Sequence, residues 1–324
     1  MSTLHHIQLA LRERGPSERI PWRKARWFYI FVAPWIIGFL VFTLGPVLSG
    51  MFMSFTNFDG MNFSAVKFVG VQNYMEAFRD EQAWYGFRRA LYLASIGIPL
   101  GMTVSFLAAV LLTQRVRGRS VFRTLFYIPS ILPITAVVWI WKLLMDNNYG
   151  LMNAALDAVA PGTYVRWMTE YPTQVLIMMG LWRATGQATV IYMAGLQGIP
   201  KELEDAARID GANFLQRFRF VTLPLVTPVI FYHLITSVIG VGQILVEPIL
   251  LASSIGGGGE SGLSVIPPRD NYFFMVHVFN RVFTNLRFGY GFALLWLLFA
   301  FVLVLTLIVF STSRFWVYYE VEQE

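Results

Sequence analysis

The sequence predicts an all-α integral membrane protein with six transmembrane helices, and three observations carry that expectation. Hydrophobic residues make up 56% of the 324 positions and aromatic residues 16%, while charged residues make up only 14%, far below the roughly 25% of soluble domains. The apolar residues fall into separated blocks, each long enough for a hydrocarbon core of about 30 Å, which takes roughly 20 helical residues. Basic residues gather at alternate ends of those blocks, as the positive-inside rule requires of a multi-pass chain.

The first block, Trp27 to Phe58, is uncharged and follows a polar, basic segment, residues 1–26, that has no signal-peptide pattern. Ala90 to Gln114 and Thr124 to Trp141 are the second and third blocks. Tyr171 to Pro200 is the fourth, interrupted only by Arg183. Phe220 to Val246 and Phe288 to Ser313 complete the set, and residues 315–324 form a short tail. Nearly every block contains Gly or Pro, which neighbouring helices in a bundle tolerate. Arg12 to Arg26, Arg115 to Arg123, Lys201 to Arg219 and Arg314 mark alternate ends. Both termini and the stretch between the fourth and fifth blocks are therefore expected in the cytoplasm, with residues 27–314 as one membrane domain. Tyr272 to Phe283 has aromatics at helical spacing and suits either an interfacial helix or an outward extension of the sixth span.

Composition also excludes functions. The chain has no cysteine, so it forms no disulfide and offers no thiolate ligand or nucleophile. The net charge of +6 and the pI near 9.6 follow from basic residues flanking spans, and no nucleic-acid partner is expected. Gly256 to Gly259 resembles a phosphate loop only superficially, because no lysine precedes a Ser or Thr there. No dinucleotide fingerprint, H-E-x-x-H pair or other catalytic spacing occurs, so no catalytic residue, bound metal or bound cofactor is expected, and the chain is not read as an enzyme.

The segment 199–224 is the most informative. Pro200 is suited to a helix's first turn, and Glu202, Glu204 and Asp205 follow where carboxylates complement the helix dipole. Leu203, Ala206 and Ala207 fall on one small-residue face. Gly211 supplies a left-handed turn. A second helix then carries Phe214 and Phe218 four apart and is expected to stop before Leu223-Pro224. The pattern predicts a helix–turn–helix elbow with exposed acids and a ridge that allows close approach to a partner.

Asp205-Ala206-Ala207, Gly211 and Leu223-Pro224 together resemble the EAA coupling loop of binding-protein-dependent ABC importer permeases. Asp205 stands where that family has glutamate, with Glu204 before it. Phe68-Val69-Gly70-Val71-Gln72-Asn73-Tyr74 is similar to a segment of the carbohydrate-type permeases, the maltose and glycerol-3-phosphate group. Phe122-Arg123-Thr124 with Pro129, Pro133 and Trp141, then Gly150-Leu151-Met152-Asn153, and later Gly289-Tyr290 with Ala293, extend the likeness over roughly Trp27 to Arg314.

The resemblance implies a type I ABC importer permease bundle in a cell inner membrane, importing a carbohydrate. It implies a second permease subunit, two ATPase subunits that use ATP and Mg, and an extracytoplasmic sugar-binding protein as partners. Glu204, Asp205, Ala206, Ala207 and Gly211 would couple to the ATPases. A sugar route needs polar groups and flat apolar faces, which makes Trp182, Arg183, Gln187, Tyr192, Ser237, Gln243 and Glu247 the candidate pathway residues. The same groups also suit interhelical hydrogen bonding, and Glu247, near the end of its span, equally suits exposure to water. His233 lacks a second ligand at i±3 or i±4 and reads as a packed or interhelically bonded side chain. Two other classes compete: an ion-coupled secondary transporter or channel, which would carry midplane acids, and a membrane enzyme, which would need a catalytic cluster.

Overall fold

The computed structural model describes residues 22–114, 118–240, 242–253 and 266–318. Most of the basic N-terminal segment, Arg115, Arg117 and the glycine run 256–259 lie outside the described residues. Among the described residues the chain is helical with no strand, and a single antiparallel bridge joins Thr56 to Phe68. Four helices are long and apolar enough to cross a membrane, or five if a bent pair counts as one span. The chain divides into two compact units, residues 1–53 and 54–324.

The first unit is one long helical element: α1 (Trp22–Phe39), a π turn (Leu40–Leu44) and α2 (Gly45–Met53). From Trp27 onward it is almost wholly apolar, and Phe31 and Phe42 are 79% and 80% exposed. A helix that is apolar on all sides belongs in lipid or inside a bundle. The helix stops at Met53, five residues short of the end of the uncharged block.

The second unit opens with an irregular clasp and α3 (Gln72–Arg79). Buried Asn73 donates through Nδ2 to the carbonyls of Ser54 and Thr56, both at 2.8 Å, and Gly70 turns the chain at φ 59. Asp80 then caps α4 (Glu81–Thr113), accepting from the Gln82 and Ala83 amides. The cap explains why this helix starts nine residues before the second apolar block.

The third block is not one straight span. It divides into α5 (Arg119–Ile131) and α6 (Ile134–Leu144), which meet at 105°. Leu132 and Pro133 are both extended, with ψ 139, because a residue before proline is pushed out of the helical region and proline lacks an N–H. Two short helices follow, α7 (Leu151–Val159) and α8 (Trp167–Glu170). Asn153 Oδ1 ties them by accepting from Trp167 Nε1 at 2.9 Å.

Next comes α9 (Pro172–Gln197), 26 residues long, which packs against α4 and α5. Its Gly186 lies so close to α5 that an added Cβ would sit 2.3 Å from the Phe126 carbonyl oxygen. The elbow and the last helices follow: α10 (Lys201–Ile209), α11 (Phe214–Arg217), α12 (Leu223–Gly240), α13 (Val246–Ala252), α14 (Phe274–Phe279) and α15 (Phe288–Trp316). α14 continues only through a π turn (Asn280–Thr284) before the chain breaks at Leu286, φ 52, so it does not run unbroken into α15.

Candidate functional site

The elbow forms as a sequence of local capping events. Pro200 sits at the N-cap of α10, with φ −59 and ψ 130, rather than inside its first turn. α10 ends in a Schellman arrangement: the Gly211 amide donates to the Arg208 carbonyl at 3.0 Å and the Ala212 amide to the Ala207 carbonyl at 2.9 Å. Gly211 takes φ 78, and the space around its absent Cβ is open. Its requirement for glycine is therefore conformational rather than steric.

Asn213 and Gln216 then form a reciprocal capping box at the start of α11. α11 does not stop before Leu223-Pro224. It passes through a π turn (Phe218–Thr222) into α12, giving one helical run from Phe214 to Gly240. Phe214 stacks on Phe218 with centroids 6.4 Å apart, and Phe218 meets Phe106 of α4 at 6.0 Å. These rings fasten the elbow to the second span.

Most other elbow side chains remain uncovered. Glu204 and Ala207 are half-buried, whereas Asp205, Ala206 and Gly211 are exposed. Asp205 forms a 3.7 Å ion pair with Arg208; both are open to water, so this pair contributes little stability. Leu203, Ile209, Phe214 and Leu215 are exposed at 41%, 87%, 62% and 69%. Acids, methyls and large apolar groups thus share one solvent-facing projection.

The pathway candidates are only partly gathered. Arg183 on α9 and Glu247 on α13 line one cavity of about 80 Å³ with Leu93, Ile134, Leu176 and Ile244. Arg183 Nε is buried with no partner among the described residues. Trp182 meets Trp141 edge-on at 6.2 Å. Tyr192 is buried, and its hydroxyl lies 2.8 Å from His233 Nδ1. Gln243 is exposed and donates back to the Ile239 carbonyl. Gln187 is exposed and Ser237 half-buried.

A larger basin, about 650 Å³, was not anticipated from the sequence. Lys142, Asp146, Asn147, Thr169, Ser253 and Asn271 line it. Lys142 is 2% exposed and donates to both the carbonyl and Oγ of Ser253. The signal for it was the single charge at which the third apolar block ended.

Residues 97–323 match the family described as "Binding-protein-dependent transport system inner membrane component". The chain belongs to that family. Like other members it is a transport component rather than an enzyme. It is 34% identical over 91% of its length, and 93% of the relative's, to the probable ABC transporter permease protein YesP of Bacillus subtilis (strain 168). The trehalose/maltose transport system permease protein MalF of Thermococcus litoralis is 28% identical over 92% of this chain and 97% of that protein. In fold, this binding-protein-dependent permease is similar to a chain from the crystal structure of a bacterial ABC transporter that imports the acidic polysaccharide alginate. That match has TM-score 0.76 and 20% identity, covering 90% of this chain and 96% of the other.

Proposed function

We propose that this permease carries a carbohydrate into the cell as one membrane half of a type I ABC importer. The observation that carries the proposal is the elbow, a doubly capped projection between α9 and α12 whose acids, small residues and apolar groups face solvent. The naming of similar permeases after trehalose/maltose, lactose and arabinooligosaccharides supports a sugar as the cargo. Six spans would be made by the run Arg26–Met53, α4, the bent α5–α6 pair, α9, the run Phe214–Gly240 and α15. Residues 27–314 would form the permease domain and 199–224 its cytoplasmic coupling loop, with 1–26 and 315–324 also in the cytoplasm of an inner-membrane protein.

Two ATPase subunits, using ATP and Mg, would receive the elbow through Glu204, Asp205, Ala206 and Ala207, with Gly211 setting its turn. Their closure on nucleotide would move the elbow, and the Phe106–Phe218 contact would pass that movement to α4 and α12. A ligand or nucleotide shifts such a two-state element only by differential affinity for its two arrangements. A second permease would complete the route, and an extracytoplasmic binding protein would deliver the sugar. Trp182, Arg183, Gln187, Ser237, Gln243 and Glu247 are assigned to the path, with Tyr192 acting through its bond to His233.

The test is assembly and coupling. Purified under mild conditions, the chain is expected to bring two ATPase copies and a second permease, and Asp205→Lys is expected to lower ATPase retention while membrane insertion continues. Sugar flux driven by an ion gradient through the chain alone would refute the proposal in favour of a secondary carrier.

A further inference from the structure

At the foot of α9, just before the elbow, two arginines of α5 converge on one neutral side chain. With its carboxamide assigned so that the oxygen faces the arginines, as their donors require, Gln197 accepts from Arg119 Nη2 at 3.0 Å and from Arg123 Nη2 at 3.1 Å. The Nε atoms of both arginines are buried with no partner among the described residues. Neither guanidinium has an ion pair among the described residues.

This arrangement leaves charge unbalanced. Two guanidiniums carry two positive charges, and arginine does not shed its proton in a protein. The C-terminal end of α9 offsets about half a charge, but Arg119 opens α5, whose N-terminus adds about as much, so about two remain. Both side chains are half-buried, and forked, parallel N–H donors match phosphate oxygens in particular.

The rest of α5 indicates which phosphate. Phe122, three residues on from Arg119, and Phe126, three residues on from Arg123, lie on the arginines' side of the helix and are 47% and 40% exposed. An anion at the guanidiniums thus has an uncovered apolar surface beginning within one turn of it. Free phosphate has no use for that surface, whereas a phospholipid does. Arg115 and Arg117 precede the pair in the sequence, and clusters of this kind beside a span attract anionic lipid.

We propose that Arg119 and Arg123, spread by Gln197, hold the phosphate of an anionic phospholipid against α5. The site lies outside the sugar path and does not depend on the transport assignment. It also places a lipid beside the short link, residues 198–200, between α9 and α10.

The permease with its copurifying subunits, placed in nanodiscs of phosphatidylcholine and phosphatidylglycerol, is released and weighed by native mass spectrometry. Wild type is expected to retain phosphatidylglycerol in preference to phosphatidylcholine. Arg119→Gln with Arg123→Gln is expected to retain roughly thirtyfold less, and Arg119→Lys with Arg123→Lys an intermediate amount, since charge stays but the fork is lost. Melting in pure phosphatidylcholine verifies that each variant is folded; if the double glutamine variant is not, the two single substitutions are read the same way. Equal retention by wild type and the glutamine variants overturns the proposal. So does equal retention of the two lipids, or full displacement of phosphatidylglycerol by millimolar inorganic phosphate.

Discussion

Asp80 uses its two carboxylate oxygens for different purposes. Oδ1 accepts the Gln82 and Ala83 amides at 2.9 and 3.1 Å and starts α4. Oδ2 lies 3.1 Å from His277 Nε2, 3.2 Å from Arg281 Nη2 and 2.9 Å from the Tyr290 hydroxyl, binding α14 and α15 to that helix start. Burial works against the Asp80 charge, but the Ala83 amide, the Tyr290 hydroxyl and the Arg281 charge outweigh it and hold its pKa below the ordinary value. Burial, more than the opposing Asp80 charge, pushes His277 downward. The signs define two pH limbs. A neutral buried histidine stabilises less as pH falls below about 6.5, where the unfolded form gains a proton first. Asp80 contributes fully above about pH 4 and loses that contribution as pH falls through its depressed folded value. The melting temperature is therefore expected to decline gently below pH 6.5 and steeply below pH 4. Asp80→Asn should cost about 2 kcal/mol at neutral pH and flatten the steep limb; an unchanged acid limb in a pH-melt series would remove the role given to this carboxylate. At the elbow, Gly211→Leu forces a side chain into φ 78 at roughly 1–2 kcal/mol. Sugar-stimulated ATP hydrolysis should fall in that variant while assembly is retained.

Proline explains much of how the helices depart from their apolar blocks. Its ring collides with the carbonyl four residues back, and two π turns lie just ahead of prolines: Leu40–Leu44 before Pro46, and Phe218–Thr222 before Pro224. In each, the next amide reaches five residues back, Gly45 to Leu40 and Leu223 to Phe218. The widened turn lets the helix continue, which is why α11 runs into α12. Pro99, Pro129 and Pro228 also sit inside helices, whereas Pro133 breaks one. Block positions were legible because length and apolarity are local properties; the fate of each proline was not, because neighbouring helices decide it. The elbow was legible for the same local reason, in Gly211 and the acids after Pro200, although the Asn213–Gln216 box was missed. Asn73, Asn153 and Tyr290 were visible as motif members, but their work as clasps between distant segments depends on contacts no short stretch contains. Close packing of α9 on α5 offers a test at this scale. Gly186→Ala must displace the Phe126 backbone and should lower stability by about 1–3 kcal/mol in thermal melts, whereas Gly180→Ala, with open space at its Cβ, should be neutral or slightly stabilising.

Across the whole permease, the strongest link from fold to transport is the meeting of Arg183 and Glu247 in one cavity. They come from α9 and α13, on opposite sides of the elbow in sequence, so a movement of the elbow that separates those helices changes what faces the cavity. Ionisable groups at membrane depth are expensive and ordinarily face a bundle interior. Arg183 Nε, with no partner among the described residues, has hydrogen-bonding capacity that a sugar hydroxyl can use, and the small cavity volume fits a closed arrangement better than one holding cargo. Arg183→Ala is expected to lower uptake by roughly tenfold, the worth of one hydrogen bond to a charged group at about 1.5 kcal/mol, without loss of assembly. Because the chain has no cysteine, Arg183→Cys supplies a single thiol for an accessibility measurement. Water-soluble maleimide should label it in the intact importer, and transported sugar should slow that labelling. Labelling only by a lipid-soluble reagent would place position 183 against the bilayer and remove it from the path.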